Sequence, residues 1–250
     1  MQVSLKELLE AGCHFGHQTV RWNPKMKPYI FTAREGVHVF DLAKTKEGLE
    51  TACDFAKSIV SQGGLVLFVG SKRQAREIVL EVSKKIGMPY VTQRWMGGMI
   101  TNWDQVKKRV EKMAELKEGL ASGTYKTYTK KEQLLIERQL AKLEKFFGGI
   151  ADVKDLPQAL FIVDAKRELS AVKEANRRGI PVISMVDTNS DPDLIDYVIP
   201  VNDDAVSSIK LIVEKMGESV EEGMKLNKNK KPDNTETLKE TETLKPEILK

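Results

Sequence analysis

The chain is poor in the residues that carry most redox, metal and nucleophilic chemistry. Among 250 residues there are 2 cysteines and 3 histidines. Cys13 and Cys53 are too few for a disulfide framework or a four-thiolate zinc site. Cys13, His14 and His17 stand close together, but structural zinc needs four ligands at compatible spacing, and only His38 and Cys53 remain as Cys or His donors. Cys13 as a nucleophile needs a positioned base, which an adjacent residue rarely supplies. No Gly-x-Gly-x-x-Gly follows an apolar run, and Gly-Lys-Ser or Gly-Lys-Thr never occurs, so the usual phosphate cradles are missing. No apolar run approaches the roughly 18 residues of a membrane span; the longest, 65–69, has the length of a strand. The first twelve residues show neither a basic n-region nor an apolar h-region. A soluble, reduced, cytoplasmic protein is expected, with no membrane partner.

Hydrophobic residues make up 41% of the chain and charged residues 30%, enough for a real core. The net charge of +4 hides a polarity. Residues 1–147 hold 25 Lys+Arg against 16 Asp+Glu, a net +9, and the remainder is −5. A basic excess on one part of a chain suits a polyanionic partner.

Apolar spacing and caps give the element order. Ser4 with Glu7 opens a short helix as a capping box, and Gly12 ends it. Residues 13–36 read as loop with a short strand at 29–32, followed by a strand at 37–40 and a helix at 44–62. The apolar run 65–70 is a strand covered on both faces. Ser71 with Gln74 caps a helix that runs to Ile86, and 89–93 is the next strand. The heavily charged helices 104–120 and 130–147, the second opened by Thr129 and Glu132, repeat apolar residues at fours and threes and predict an antiparallel coiled-coil hairpin. Alternation resumes with strands at 159–164, 181–187 and 197–201 and helices at 168–178 and 204–216. The fold class is α/β, a Rossmann-like or flavodoxin-like parallel sheet with helices on both faces. Its discontinuous domain takes residues 1–103 and 148–225, with 104–147 as the inserted hairpin and 226–250 as a disordered, aromatic-free tail.

The densest local signal is the segment 11–34, which has no acid, contains Arg21, Lys25, Lys27 and Arg34, and interleaves Phe15, Trp22, Tyr29 and Phe31. Pro24 and Pro28 are expected to hold it extended. Arg and Lys neutralise phosphates and aromatic rings stack on bases. Residues 93–103, followed by Lys107, Lys108 and Arg109, repeat the theme. The candidate RNA-contacting residues are Arg21, Trp22, Asn23, Lys25, Lys27, Arg94, Trp95, Asn102, Lys107 and Lys108. Ser71, Lys72 and Arg73 at a helix N-terminus are either a plain cap or a phosphate contact. Asp164, Asp187 and Asp203 fall at strand C-terminal ends, the ligand edge of such a sheet. His17, Asp187 and Asp203 are candidates for one divalent cation, although no cofactor is required. The same features admit two other readings: a nucleotide enzyme working at the strand ends, and an adaptor working through 104–147.

Six stretches occur together: GCHFGHQ at 12–18, RWNPKMKPYI at 21–30, RWMGGMITN at 94–102, GIPVI at 179–183, VDTNSDP at 186–192 and NDDA at 202–205. In this combination and order, over residues 4–216, the chain resembles the bacterial small ribosomal subunit protein two family. Val201 and Thr32 stand where that family often has glycine. The resemblance implies a flavodoxin-like or Rossmann-like sheet with a protruding coiled coil, a structural rather than enzymatic role, and no small-molecule substrate. It further implies contact with small-subunit rRNA near the head–body junction and with neighbouring ribosomal proteins, including recruitment of the mRNA-binding protein one. The N-terminal helix, through Leu5, Leu8 and Leu9, is the implied contact for that partner.

Overall fold

The computed structural model describes residues 3–230. Its centre is a five-stranded parallel sheet made of β4 (Val66–Val69), β5 (Tyr90–Val91), β6 (Ala159–Ile162), β7 (Val182–Val186) and β8 (Tyr197–Pro200), in the order β5-β4-β6-β7-β8. Counted within the sheet, that is the doubly wound order 2-1-3-4-5, with the reversal between β4 and β6. The α/β class and the parallel sheet expected from the alternation are both present. Strands β4, β6 and β7 are buried at every position, because helices cover both faces.

The period of two splits these strands between two cores. Phe68, Phe161, Ile183 and Met185 face α2 (Leu42–Ser61), α3 (Arg76–Ile86) and α7 (Val206–Lys230), which contribute Leu49, Val79, Ile209 and Met216. Phe68 and Phe161 meet edge-to-face with centroids 5.2 Å apart. Leu67, Val69, Leu160 and Ile162 face the other way, onto α6 (Leu169–Arg178) and the roots of α4 (Trp103–Ser122) and α5 (Lys130–Phe147). These last two helices pack on each other, with Arg109 over the Phe147 ring at 5.8 Å and Lys117 3.6 Å from Glu144. Val106, Met113 and Leu116 are buried, while Leu134 and Leu135 of α5 are exposed.

A second, antiparallel sheet precedes the first, in the order β1-β3-β2, from β1 (Phe15–Gln18), β2 (Ile30–Arg34) and β3 (Val37–Phe40). Strand β1 lies where loop was expected. It has no apolar alternation and owes its form to pairing with β3. Residues Pro24–Tyr29 are a 3-10 turn rather than extended chain. Pro24 suits its first position, and the Asn23 side chain accepts the Lys25 backbone N–H. α1 (Leu5–Glu10) and α5 carry the expected Ser4/Glu7 and Thr129/Glu132 capping boxes. α3 departs from expectation: it starts at Arg76, and Ser71 does not cap it.

Helix α7 was expected to stop near Met216 but continues to Lys230, past the position where the tail was expected to begin; residues 231–250 of that tail lie outside the described residues. Its glycines are packing sites, not stops. A Cβ on Gly217 would sit 2.5 Å from Val82 Cγ1, and one on Gly223 2.7 Å from the Lys57 carbonyl oxygen. Among the described residues no helix is long and apolar enough to cross a membrane. Gly223→Ala is expected to cost about 1–3 kcal/mol by forcing α7 off α2, against alanine's higher helix propensity. Gly148→Ala is expected to raise stability by about 0.4–1 kcal/mol, since Gly148 is helical (φ −58°) and open. Thermal denaturation of the two variants checks the contrast.

Candidate functional site

The carboxyl ends of β4 and β6 flank the reversal of strand order, where an open α/β sheet ordinarily receives its ligand. Here the chain fills that edge itself. Lys72, only 8% exposed, follows β4 and places its ammonium 2.6 Å from Asp204 Oδ1, 2.7 Å from Asp203 Oδ1 and 3.3 Å from Asp164 Oδ2. Burial opposes its charge, but Asp203, Asp204 and Asp164 outweigh that and hold the lysine above its ordinary pKa. Burial, with Asp164 and Asp187 nearby, pushes Asp203 up to about 7. Asp164 adopts φ +69°, a left-handed conformation that its own cap helps hold, with Oδ1 accepting the Arg167 N–H at 2.9 Å. Ser71, the expected helix cap, donates its N–H and hydroxyl to the buried Glu168, which burial keeps more basic than an ordinary glutamate.

The cluster continues to the small sheet. His17 in β1 donates Nδ1–H to Asp187 at 2.9 Å, and its Nε2 lies 3.4 Å from Asp204 Oδ2. The bond to Asp187 raises the imidazole's pKa against the opposing effect of burial. Of the expected ion-ligand set, His17 and Asp187 meet, but the third member is Asp204. One ligand atom from each of His17, Asp187 and Asp204 lies within 4.8 Å of the others. Asp203 instead takes Lys72 and donates its backbone N–H to Asp187 at 3.3 Å, leaving its Oδ2 buried without a partner. Asp204 follows Asp203 in the Asn-Asp-Asp run, and which of two adjacent carboxylates faces β1 depends on the turn after β8.

The candidate RNA-contacting residues separate by environment. Arg21, Lys27, Arg94 and Lys108 are exposed and form no ion pair among the described residues. Lys25 is held by Asp191 and Asp193 at 2.8 and 2.7 Å, and Lys107 lies 3.8 Å from Asp155. Asn23 caps its turn and ties it to β7's end by donating its N–H to the Thr188 carbonyl at 2.7 Å. Trp22 is half-buried against His38, whereas Asn102 is exposed. Trp95 is buried and donates its indole N–H to Glu174 at 3.1 Å, so its ring belongs to the core. Of the apolar positions on α1, Leu8 is buried and Leu5 and Leu9 are exposed.

Glu174 organises the second basic segment. Besides Trp95, it accepts the backbone N–H groups of Gly98, Ile100 and Thr101 at 2.8–3.1 Å and the Thr101 hydroxyl at 3.1 Å. Burial alone would raise its pKa, but these donors together hold it below the usual range. Nothing local in the sequence marks it, since its donors lie more than 70 residues away.

The fold and this edge define a class: a doubly wound α/β protein whose ligand crevice is closed by its own ion pairs. The model of the family described as Ribosomal protein S2 matches residues 8–223, and the chain belongs to that family. The family is a structural, non-enzymatic one, and membership gives the chain a structural role in the small ribosomal subunit and in translation, in association with rRNA and other ribosomal proteins.

Glu174→Gln replaces an acceptor that suits five donors with an amide whose NH2 opposes some of them, and is expected to cost roughly 2–3 kcal/mol. The wild-type contribution is present above the ordinary glutamate pKa of about 4.3 and is lost as pH falls through the depressed folded value. The stability gap between wild type and variant should therefore close in denaturant melts run from pH 6 down to pH 3.

Proposed function

We propose that the chain binds small-subunit rRNA near the junction of head and body, in the cytoplasm, and helps recruit the mRNA-binding ribosomal protein one. The observation that carries the RNA reading is the acid-free segment 11–34, which presents Arg21, Lys27 and Arg34 exposed and without an ion pair among the described residues. Its backbone is fixed by the Asn23 and His17 bonds to Thr188. A fixed row of uncompensated cations releases counterions on meeting a phosphate backbone. Arg94, Asn102 and Lys108 extend the contact, and α4 with α5 serves as a coiled-coil arm. Lys25 contributes less than its position suggests, because Asp191 and Asp193 already neutralise it.

Contact with protein one falls to exposed apolar surface, since large apolar side chains in water mark protein interfaces. Leu5 and Leu9 are about half exposed, as is Phe15, and Val20 and Phe31 are 91% and 75% exposed. Leu8 serves the chain's own core.

Arg21→Glu with Lys27→Glu is expected to weaken binding to a small-subunit rRNA fragment. It should also reduce the log–log salt slope by about 0.7–0.9 per lost phosphate contact. Lys25→Glu should change the slope less. An unchanged slope and affinity in the double variant, or no preference of the wild type over unrelated RNA, overturns the reading.

The grouping of His17, Asp187 and Asp204 supports a second, smaller proposal, that these three residues bind a divalent cation. Calorimetric titration of chelator-washed protein with Zn²⁺ or Mn²⁺ alone should show one saturable site. Asp204→Ala, at an exposed position, should abolish it. No heat of binding in the wild type removes the proposal.

A further inference from the structure

His38 is a polar residue that the fold leaves unused. It lies in β3, is 8% exposed, and neither ring nitrogen has a hydrogen-bond partner. Burial lowers its pKa, so the ring is neutral near pH 7, with one N–H donor and one bare acceptor. A buried donor with no partner costs about 1–3 kcal/mol, and an apolar ring would fill the same place at no such cost. The group that packs on it is the indole of Trp22, 5.0 Å away between centroids and tilted by 45°. Trp22 is itself only half-buried, in the acid-free segment beside Arg21.

We propose that Trp22 and His38 form a pocket for one unpaired nucleotide of RNA, in which the indole turns outward to stack on the base and the uncovered imidazole hydrogen-bonds the ribose 2′-hydroxyl. The proposal rests on the rRNA reading above and adds a specific recognition element to it. The chemistry of the ligand follows from what is left unsatisfied. A phosphate oxygen only accepts, and would satisfy one nitrogen. A 2′-hydroxyl reaches only one of the two nitrogens, which point apart, but it can donate to the bare one, as no phosphate oxygen can, and it is the group by which a protein distinguishes RNA from DNA. Stacking on an indole tolerates any base. The flanking cations bring the backbone within reach, and the two rings then select an unpaired ribonucleotide.

The test separates this contact from general phosphate binding. Wild type and His38→Phe are titrated with a small-subunit rRNA fragment across a salt series, and with the same fragment carrying single 2′-deoxy substitutions. The expected result is about a tenfold loss of affinity in His38→Phe with the salt slope unchanged, because a neutral group releases no counterion. Its melting temperature should be equal or higher, because an unpartnered polar ring has been removed. One 2′-deoxy position should weaken the wild type about tenfold and leave His38→Phe unaffected, the non-additive signature of a direct contact. Equal affinities of wild type and His38→Phe, or additive losses at every 2′-deoxy position, overturn the proposal while leaving the rRNA reading intact. Absence of salt-dependent, preferential binding by the wild type overturns the rRNA reading itself. A measurement that needs no variant at His38 is the ¹⁹F spectrum of 5-fluorotryptophan-labelled protein, with the Trp22 line assigned by Trp22→Phe. RNA should shift that line, and an unmoved Trp22 line in the saturated complex refutes the outward turn.

Discussion

The ammonium of Lys72 is the point on which the arrangement of loops depends. A buried cation is tolerated only when carboxylates surround it, and those carboxylates, gathered in one place, are tolerated only because of the cation. Asp164 comes from the end of β6 and Asp203 and Asp204 from the turn after β8, while Lys72 itself follows β4. Three strand ends are thus fixed to one another by a single charge. Through Asp204 and Asp187, His17 draws β1 of the small sheet into the same cluster. Removing the ammonium would leave Asp203, buried and with Asp164 and Asp187 nearby, without its cation, so the loops hold their places through Lys72. The same ion pairs occupy the crevice that a nucleotide enzyme of this topology would keep open, which agrees with the non-enzymatic character of the family.

What the sequence disclosed, and what it did not, follows the range of the forces involved. Strands β4, β6 and β7 were legible because burial on both faces demands an unbroken apolar run. The capping boxes of α1 and α5 were legible because they are complete within four residues. Strand β1 was not, because Phe15–Gln18 gains its form from β3, some twenty residues on. The turn Pro24–Tyr29 was misread because a proline that suits extended chain also suits the first position of a 3-10 turn. The helix expected at 204–216 runs on through Gly217, whose place is set by Val82 on another helix.

The candidate site shows the same division at the level of charge. Counting lysines and arginines located two basic segments, but a count cannot tell a free cation from a paired one. Lys25 is paired with carboxylates 166 and 168 positions away, and Trp95 is drawn inward by Glu174 from α6. Lys72 and Asp204, which dominate the electrostatics of the sheet edge, carry no local mark that sets them apart from their neighbours. Their importance is created by topology, which brings β4, β6 and β8 to end on one edge.

The close approach of α7 to α2 and α3 has a consequence for the order of synthesis. α7 is the last described element to be made, yet Ile209, Ile212, Val213 and Met216 supply part of one whole core face. Until they emerge, the Phe68, Phe161 and Met185 side of the sheet stays incompletely covered, although all five strands of that sheet already exist. A sheet assembled before α7 is available would keep that apolar face open. Apolar surface exposed in this way makes a chain prone to aggregation. Completion of the fold, and the end of that exposure, arrive together when α7 settles against Lys57 and Val82.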